Sequence, residues 1–273
     1  MKRFEGILIC TDLDGTLLRE DGTVSKENMD AIAYFQKRGG LFTFITGRMP
    51  YFAADIYEMI QPNAPFGCIN GGGIYDHRKG EYLWRRPISR DCLDLVDLAY
   101  EKVPGIGIQV NGFEHLYFAT ENSAMVSFRE KTGVPNLVCP YREVQEDFGK
   151  ILFGDEREEA IQALAHLLPT HPKAGQFDFI RSEQTLYEIL PKGTNKGSLL
   201  PRLAALLGID MKRTVAFGDY NNDVQMLKVA GLGVAVANAV PEAKAAADLV
   251  TVSNEENAIA AVIDGLDKGT VRL

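Results

Sequence analysis

A short apolar run that ends on two acids constrains this chain more than any other stretch: Ile7-Leu8-Ile9-Cys10-Thr11-Asp12-Leu13-Asp14-Gly15-Thr16-Leu17-Leu18. Bounded by Gly6 and by an acidic, glycine-containing turn, it reads as a buried strand feeding a loop. In an open parallel α/β sheet, ligands bind just beyond the carboxyl ends of the strands, so Asp12 and Asp14 stand where chemistry is done. Asp-Gly is also an ordinary turn dipeptide, and taken alone the pair is a turn more often than a site. The rest of the chain decides between the two.

Behind that strand, Ser25 is positioned to cap a helix carrying Met29, Ile32, Ala33 and Phe35, which Gly39-Gly40 ends. A second strand over 41–45 closes on Thr46-Gly47-Arg48 and leads into a helix over about 51–59. A third, over 66–69, closes on Asn70-Gly71-Gly72-Gly73. Strand alternating with helix predicts a doubly wound, mostly parallel, Rossmann-like α/β sheet.

The rhythm then changes. A hairpin spans 74–84, and helices are expected over about 90–102, 122–131 and 156–168. Strands are expected over 106–110, 114–118, 150–153, 177–181 and 186–190, the first two joined by Asn111-Gly112 as a hairpin signal. Strands in succession without intervening helices predict an antiparallel sheet with helices on one face, an α+β domain inserted into the first. The expected division is 1–83 with 187–273 as core and 84–186 as insert. After the insert the doubly wound pattern resumes. Lys196 opens a leucine-rich helix, a strand over 214–217 ends in Gly218-Asp219-Tyr220-Asn221-Asn222-Asp223, and three more helices and two more strands complete the chain.

Composition narrows the function classes. The chain has 273 residues, 46% hydrophobic and 24% charged, which suits a folded protein with one large core or two smaller ones. Its longest apolar run falls well short of the roughly 18 residues of a membrane span, and the basic start Met1-Lys2-Arg3 leads into too short an apolar stretch for a signal peptide. A cytoplasmic protein is expected. Cys10, Cys68, Cys92 and Cys139 lie far apart without zinc-ligand spacing, so reduced thiols are expected. A net charge of -8 with small basic clusters argues against nucleic acid and anionic membrane as partners. An acidic protein can nevertheless handle an anionic substrate when a bound cation inverts the local field.

The residues immediately beyond the core strands are Asp12 and Asp14, then Thr46, then Asp219 with Asn222 and Asp223, and Lys196 joins them at a helix start. Carboxylates converging on one rim repel one another, and a hard divalent cation with oxygen ligands, Mg²⁺, relieves this. Lys196 adds a compact positive charge, and Thr46 with the amides of Gly47 and Arg48 adds donors for an anion. Together they describe a phosphate site, in which a carboxylate can take the phosphoryl group.

The set Asp12-Leu13-Asp14-Gly15-Thr16, Thr46-Gly47-Arg48, Asn195-Lys196-Gly197 and Gly218-Asp219-Tyr220-Asn221-Asn222-Asp223-Val224-Gln225-Met226-Leu227 closely resembles the haloacid dehalogenase superfamily of phosphatases, Cof-type subgroup. Asn70-Gly71-Gly72, Asn238-Ala239 and Ala247-Asp248 support the likeness. The resemblance implies a Mg²⁺-dependent phosphomonoester hydrolase with Asp12 as nucleophile and metal ligand. Asp14 would be general acid and base, its backbone carbonyl a further metal ligand. Thr46, Gly47, Lys196 and Asn222 would contact phosphate, Asp219 would bind the metal directly, and Asp223 would reach it through water or through the residues that ligate it. The insert would be a type C2B cap that flexes on linkers near Arg85-Arg86 and Arg181-Ser182-Glu183, closes over the site and selects the substrate, a small phosphorylated metabolite such as a sugar phosphate or a cofactor phosphate.

For Arg48 a salt bridge at a helix start is the competing reading; Asn111, Glu114 and Arg181 are polar cap positions that more often face solvent, and Trp84 is expected to pack at the hinge. Glu255-Glu256-Asn257-Ala258 departs from the family, which commonly shows glycine after an acidic residue there. The alternatives are a phosphomutase of the same superfamily and a non-enzymatic phosphate-sensing module. The second acid, Asp14, favours turnover over sensing. The protein is expected to act as a monomer or small homo-oligomer.

Overall fold

A computed structural model describes residues 3–273, which divide into two compact units, 3–84 with 195–273, and 85–194. The first contains β1 (Leu8–Thr11), α1 (Lys26–Lys37), β2 (Leu41–Phe44), α2 (Ala54–Ile60), β3 (Phe66–Cys68), β4 (Gly73–Asp76) and β5 (Glu81–Arg85), the last reaching the boundary. The second contains α3 (Cys92–Lys102), β6 (Gly107–Gly112), β7 (Leu116–Thr120), α4 (Ser123–Thr132), β8 (Leu137–Val138), β9 (Phe148–Gly154), α5 (Glu158–Leu167), β10 (Phe177–Glu183) and β11 (Leu186–Pro191). The chain then returns to the first unit with α6 (Lys196–Leu206), β12 (Thr214–Gly218), α7 (Val224–Val229), β13 (Leu232–Ala235), α8 (Pro241–Ala246), β14 (Leu249–Val250) and α9 (Ala258–Lys268).

The first unit is a parallel sheet in the order β14-β13-β12-β1-β2, the doubly wound α/β core the sequence predicts. From β1 the chain crosses to β2 on one side, and from β12 it crosses to β13 on the other. Right-handed crossovers in opposite directions put α1 and α7 on opposite faces. Leu8, Cys10 and Ala216 accordingly pack with Leu199, Leu200 and Leu203 of α6 and Met226 of α7. On the remaining face α1 pairs with α9, tied by the Ala260 N–H donating to Asn28 Oδ1 at 3.0 Å. Ser25 caps α1 as expected, its hydroxyl accepting from the Asn28 N–H at 3.1 Å. The third expected strand pairs antiparallel with β4 and meets the parallel sheet through one bridge, Ile45 to Gly67.

The second unit is a six-stranded sheet in the order β10-β11-β9-β6-β7-β8, antiparallel apart from β7 with β8. Ile108, Val110, Ile151, Phe153 and Ile189 on one face pack against Leu95, Val96 and Ala99 of α3 and Ile161 and Leu164 of α5. Helices do not keep to that face. Met125 of α4 lies against Gly107 and Gly154, which belong to the alternate positions of β6 and β9 and therefore to the other face. Two absent side chains make room for it.

Three expectations shift. Asn111-Gly112 is not the hairpin turn: both residues stay in β6 and the turn is 113–115, closed by Gly112 N–H to His115 O at 2.9 Å. The reason is burial, since Asn111 is 2% exposed and donates to Gln109 Oε1 at 3.1 Å. Arg181-Ser182-Glu183 is no linker but the end of β10, whose pairing with β11 becomes irregular there. Because β11 completes this sheet, the return to the first unit falls after Thr194 and not after 186. Trp84 is half-buried beneath the Arg202 guanidinium, 4.4 Å from the ring centroid. Glu114 is exposed, and Arg181 pairs with Glu158.

Candidate active site

β1 and β12 are neighbours whose onward connections run in opposite directions, so a crevice opens beyond their carboxyl ends. Asp12 comes directly after β1, and its N–H donates to Phe217 O of β12 at 3.0 Å. Its backbone is extended, while Leu13 behind it is fully buried, so the loop turns the acid out and the leucine in. A wide turn over 13–18 comes next, closed by Leu18 N–H to Leu13 O at 2.9 Å, with Gly15 at φ 73°. A Cβ on Gly15 would stand 2.6 Å from Asp219 Oδ2, so this turn admits no side chain there.

Lys196, the first residue of α6, is wholly buried and donates to Asp12 Oδ1 and Asp223 Oδ1, each at 2.7 Å. Asp223 uses its other oxygen to accept from the N–H groups of Asp219 (3.0 Å) and Tyr220 (3.1 Å). One carboxylate thus sets both the lysine and the loop after β12. Asp219 accepts from the Thr16 hydroxyl at 2.7 Å, joining the two strand ends.

Asp12, Asp219 and Asp223 each present an oxygen within 4.8 Å of the others, a cluster able to hold a metal ion. Its electrostatics show the strain of like charges. Burial, then the Asp223 and Asp219 carboxylates, push Asp12 well above the carboxylate range against the pull of Lys196. Burial and Asp223 push Asp219 up to about 7, with Thr16 and Lys196 opposing. Burial draws Lys196 down, yet Asp12 and Asp223 outweigh it and hold the ammonium above the ordinary lysine range.

The second strand end contributes Thr46, which is buried; its hydroxyl accepts from the Arg48 N–H at 3.2 Å and so keeps its own proton to donate. The helix expected just behind it starts later, with a tight turn over Pro50–Ala53 before α2. Gly47 and Arg48 are therefore not helix-start donors, and the Arg48 amide is already engaged. The Arg48 guanidinium clasps Asp14 side-on, Nε to Oδ2 at 2.9 Å and Nη2 to Oδ1 at 2.6 Å. Arg48 does make a salt bridge, though not at a helix start, and its partner is the second acid of the opening motif.

Asn222 donates to Asn70 Oδ1 at 3.1 Å, and its own buried carbonyl oxygen has no hydrogen-bond partner among the described residues. Three contributors escaped the sequence reading of the site. Asn70 is buried in a left-handed conformation (φ 50°) beside Ile69 (φ 56°), a conformation a β-branched residue rarely adopts. Its signal was the Asn-Gly-Gly-Gly run. Thr16 was visible in Asp-Gly-Thr. Asn238 donates to Gly15 O at 2.8 Å and accepts from Asn254 N–H at 3.1 Å, and Asn254 in turn donates to Leu18 O at 2.9 Å. No local pattern signals that latch on the acid loop.

The family described as haloacid dehalogenase-like hydrolase matches residues 9–263. The 5-amino-6-(5-phospho-D-ribitylamino)uracil phosphatase YwtE of Bacillus subtilis (strain 168) is 30% identical, over 96% of this chain and 98% of its own. YitU of the same organism, which carries the same activity in its name, is 28% identical over 93% and 94%. The solved structure of BT4131, described as a subclass IIB sugar phosphatase of the haloacid dehalogenase superfamily, has a TM-score of 0.83 over 97% of this chain and 100% of its own at 21% identity, a likeness of fold.

Proposed function

The chain belongs to the haloacid dehalogenase-like hydrolases, and on that footing we propose a Cof-type, Mg²⁺-dependent phosphomonoester hydrolase that works through a phosphorylated Asp12. The observation that carries this reading is Lys196, buried and held between Asp12 and Asp223 at 2.7 Å from each. Two of its three N–H groups are spent on those acids, and the third is available to a phosphoryl oxygen arriving at Asp12. The Thr46 hydroxyl offers a second donor to the same anion.

The donor set suits Mg²⁺. Asp12 and Asp219 are hard, anionic oxygen ligands at close quarters, and a dication offsets the burial and the mutual repulsion that push both acids up. Asp223, committed to Lys196 and to two backbone N–H groups, supports that set from behind, and the Asp14 carbonyl adds to it. When bound, the ion offsets charge on the phosphoryl oxygens. Asp12 attacks the phosphorus while the bond to the leaving alcohol breaks, and Asp14 supplies that alcohol's proton. Asp14 then takes a proton from the water that releases orthophosphate from Asp12.

In this reading the second unit would take the substrate-selecting role of a cap. A hydroxylated phosphate ester is the expected substrate class. The ribityl phosphate named for YwtE and YitU and the sugar phosphates named for BT4131 are of that class. The test is a panel of sugar phosphates, cofactor phosphates and the ribitylaminouracil phosphate, read as orthophosphate release. Release that EDTA abolishes and Asp12→Asn removes supports the reading. Full activity in that variant, product isomers without free phosphate, or a long-lived phosphoprotein without release would each overturn it.

A further inference from the structure

We propose that Arg48 is a positioning residue that holds the Asp14 carboxylate for the second half of the reaction, when water is activated against the phosphorylated Asp12; the proposal rests on Asp14 being the acid and base of that reaction. The pair is side-on, at 2.9 and 2.6 Å, so both carboxylate oxygens are engaged and the plane of the group is set. Arg48 is itself anchored. Its N–H donates to Thr46 Oγ1 at 3.2 Å, its carbonyl accepts from Ile69 N–H at 3.0 Å, and Nη1 donates to Phe52 O at 3.3 Å. The acid is the more accessible partner, with its side chain 41% exposed against 25% for the arginine. A carboxylate so open samples several rotamers unless something fixes it.

The fork also selects a chemical state. A carboxyl group carrying a proton towards the arginine cannot accept from Nε and Nη2 together, so the clasped form is the one that receives a proton. In the second half, the water oxygen bonds to phosphorus as one water proton passes to Asp14. The Asp12–phosphorus bond breaks, its electron pair returns to the Asp12 carboxylate, and orthophosphate leaves. In the first half Asp14 instead gives a proton to the departing alkoxide and must leave the fork. An ester such as p-nitrophenyl phosphate needs no such proton, so its first half does not depend on Arg48.

The experiment is rapid mixing of the full chain with p-nitrophenyl phosphate and Mg²⁺, for wild type, Arg48→Met and Arg48→Lys, with thermal unfolding measured alongside. Arg48→Met is expected to show a burst of p-nitrophenolate approaching one per enzyme. Its steady rate then falls by about 10²-fold, the low end of what positioned proton transfer supplies. KM falls together with kcat, so kcat/KM stays within about twofold of wild type, as slowing a step after the first product leaves requires. Arg48→Lys keeps the charge without the fork and shows the same pattern with a smaller drop. If Arg48→Met is unfolded, Arg48→Lys decides. A loss of kcat/KM without a burst overturns the proposal, as do kinetics unchanged from wild type. A wild type that releases no orthophosphate overturns the parent reading and this one with it; an active wild type beside an unchanged variant overturns this one alone.

Discussion

Lys196 is the residue on which the electrostatics of the site turn. A buried ammonium is tolerated because two carboxylates face it, and Asp223 serves three donors at once. Removing Asp223 takes one of the two counter-charges from the buried ammonium and leaves the Asp219 and Tyr220 N–H groups without their acceptor, at about 3 kcal/mol in all. Asp223→Ala is therefore expected to lower the unfolding free energy in urea by about that amount. Asp219, whose ordinary value is 3.8, is pushed up to about 7, so the folded protein binds its proton more tightly than the unfolded chain does. The Asp219 contribution to stability in EDTA is therefore present below about pH 4 and is lost as pH rises to about 7. Excess Mg²⁺ competes with that proton, and at a hundredfold above its Kd adds about 2.7 kcal/mol near pH 7.5. Thermal melts with and without EDTA should show both trends, and Asp219→Asn should flatten the first and remove the second. Asn257 accounts for the departure from the family pattern. It sits at φ 68°, ψ 49°, where asparagine is one of the few side-chain-bearing residues that fit. Asn257→Gly should leave stability near wild type, whereas Asn257→Val should cost about 1–2 kcal/mol in the same urea assay.

Among the elements, α6 links sequence to site most directly. Asn195 caps it, accepting from Ser198 N–H at 2.8 Å while Ser198 Oγ accepts from Asn195 N–H at 3.1 Å. This reciprocal box fixes the first turn and with it the Lys196 backbone, while Leu199, Leu200 and Leu203 anchor the helix to the sheet. Asn195→Ala should cost about 1 kcal/mol of stability and lower kcat in orthophosphate release, because the lysine loses its fixed origin. Periodicity made this helix legible. It misled at β6, where Asn-Gly has the local chemistry of a turn, but Asn111 finds a buried partner in Gln109 and strand pairing continues to Gly112. A turn propensity of that size yields to cross-strand pairing. Arg181-Ser182-Glu183 misled in the same way, since its polarity suggested a linker and its place in β10 comes from pairing with β11.

At the scale of the molecule, residues 85–194 carry a core of their own between one sheet face and α3 with α5. Expressed alone, 85–194 should fold cooperatively, with dispersed amide signals and one unfolding transition; a spectrum of an unstructured chain would contradict that self-sufficiency. For the whole chain, no helix among the described residues is long and apolar enough to cross a membrane. The sequence by itself determined the doubly wound core, the inserted α+β segment and the strand ends bearing Asp12, Thr46 and Asp219, because burial periodicity and turn chemistry are local. It also supplied Lys196 and Asp223 as members of the site. Only the tertiary structure decided which acid faces which base: Lys196 between Asp12 and Asp223, Arg48 on Asp14, Asn70 against Asn222 and Asn238 on Gly15. Those pairings join residues from 27 to 223 positions apart. Their geometry comes from sheet order and crossover direction, which no local pattern encodes.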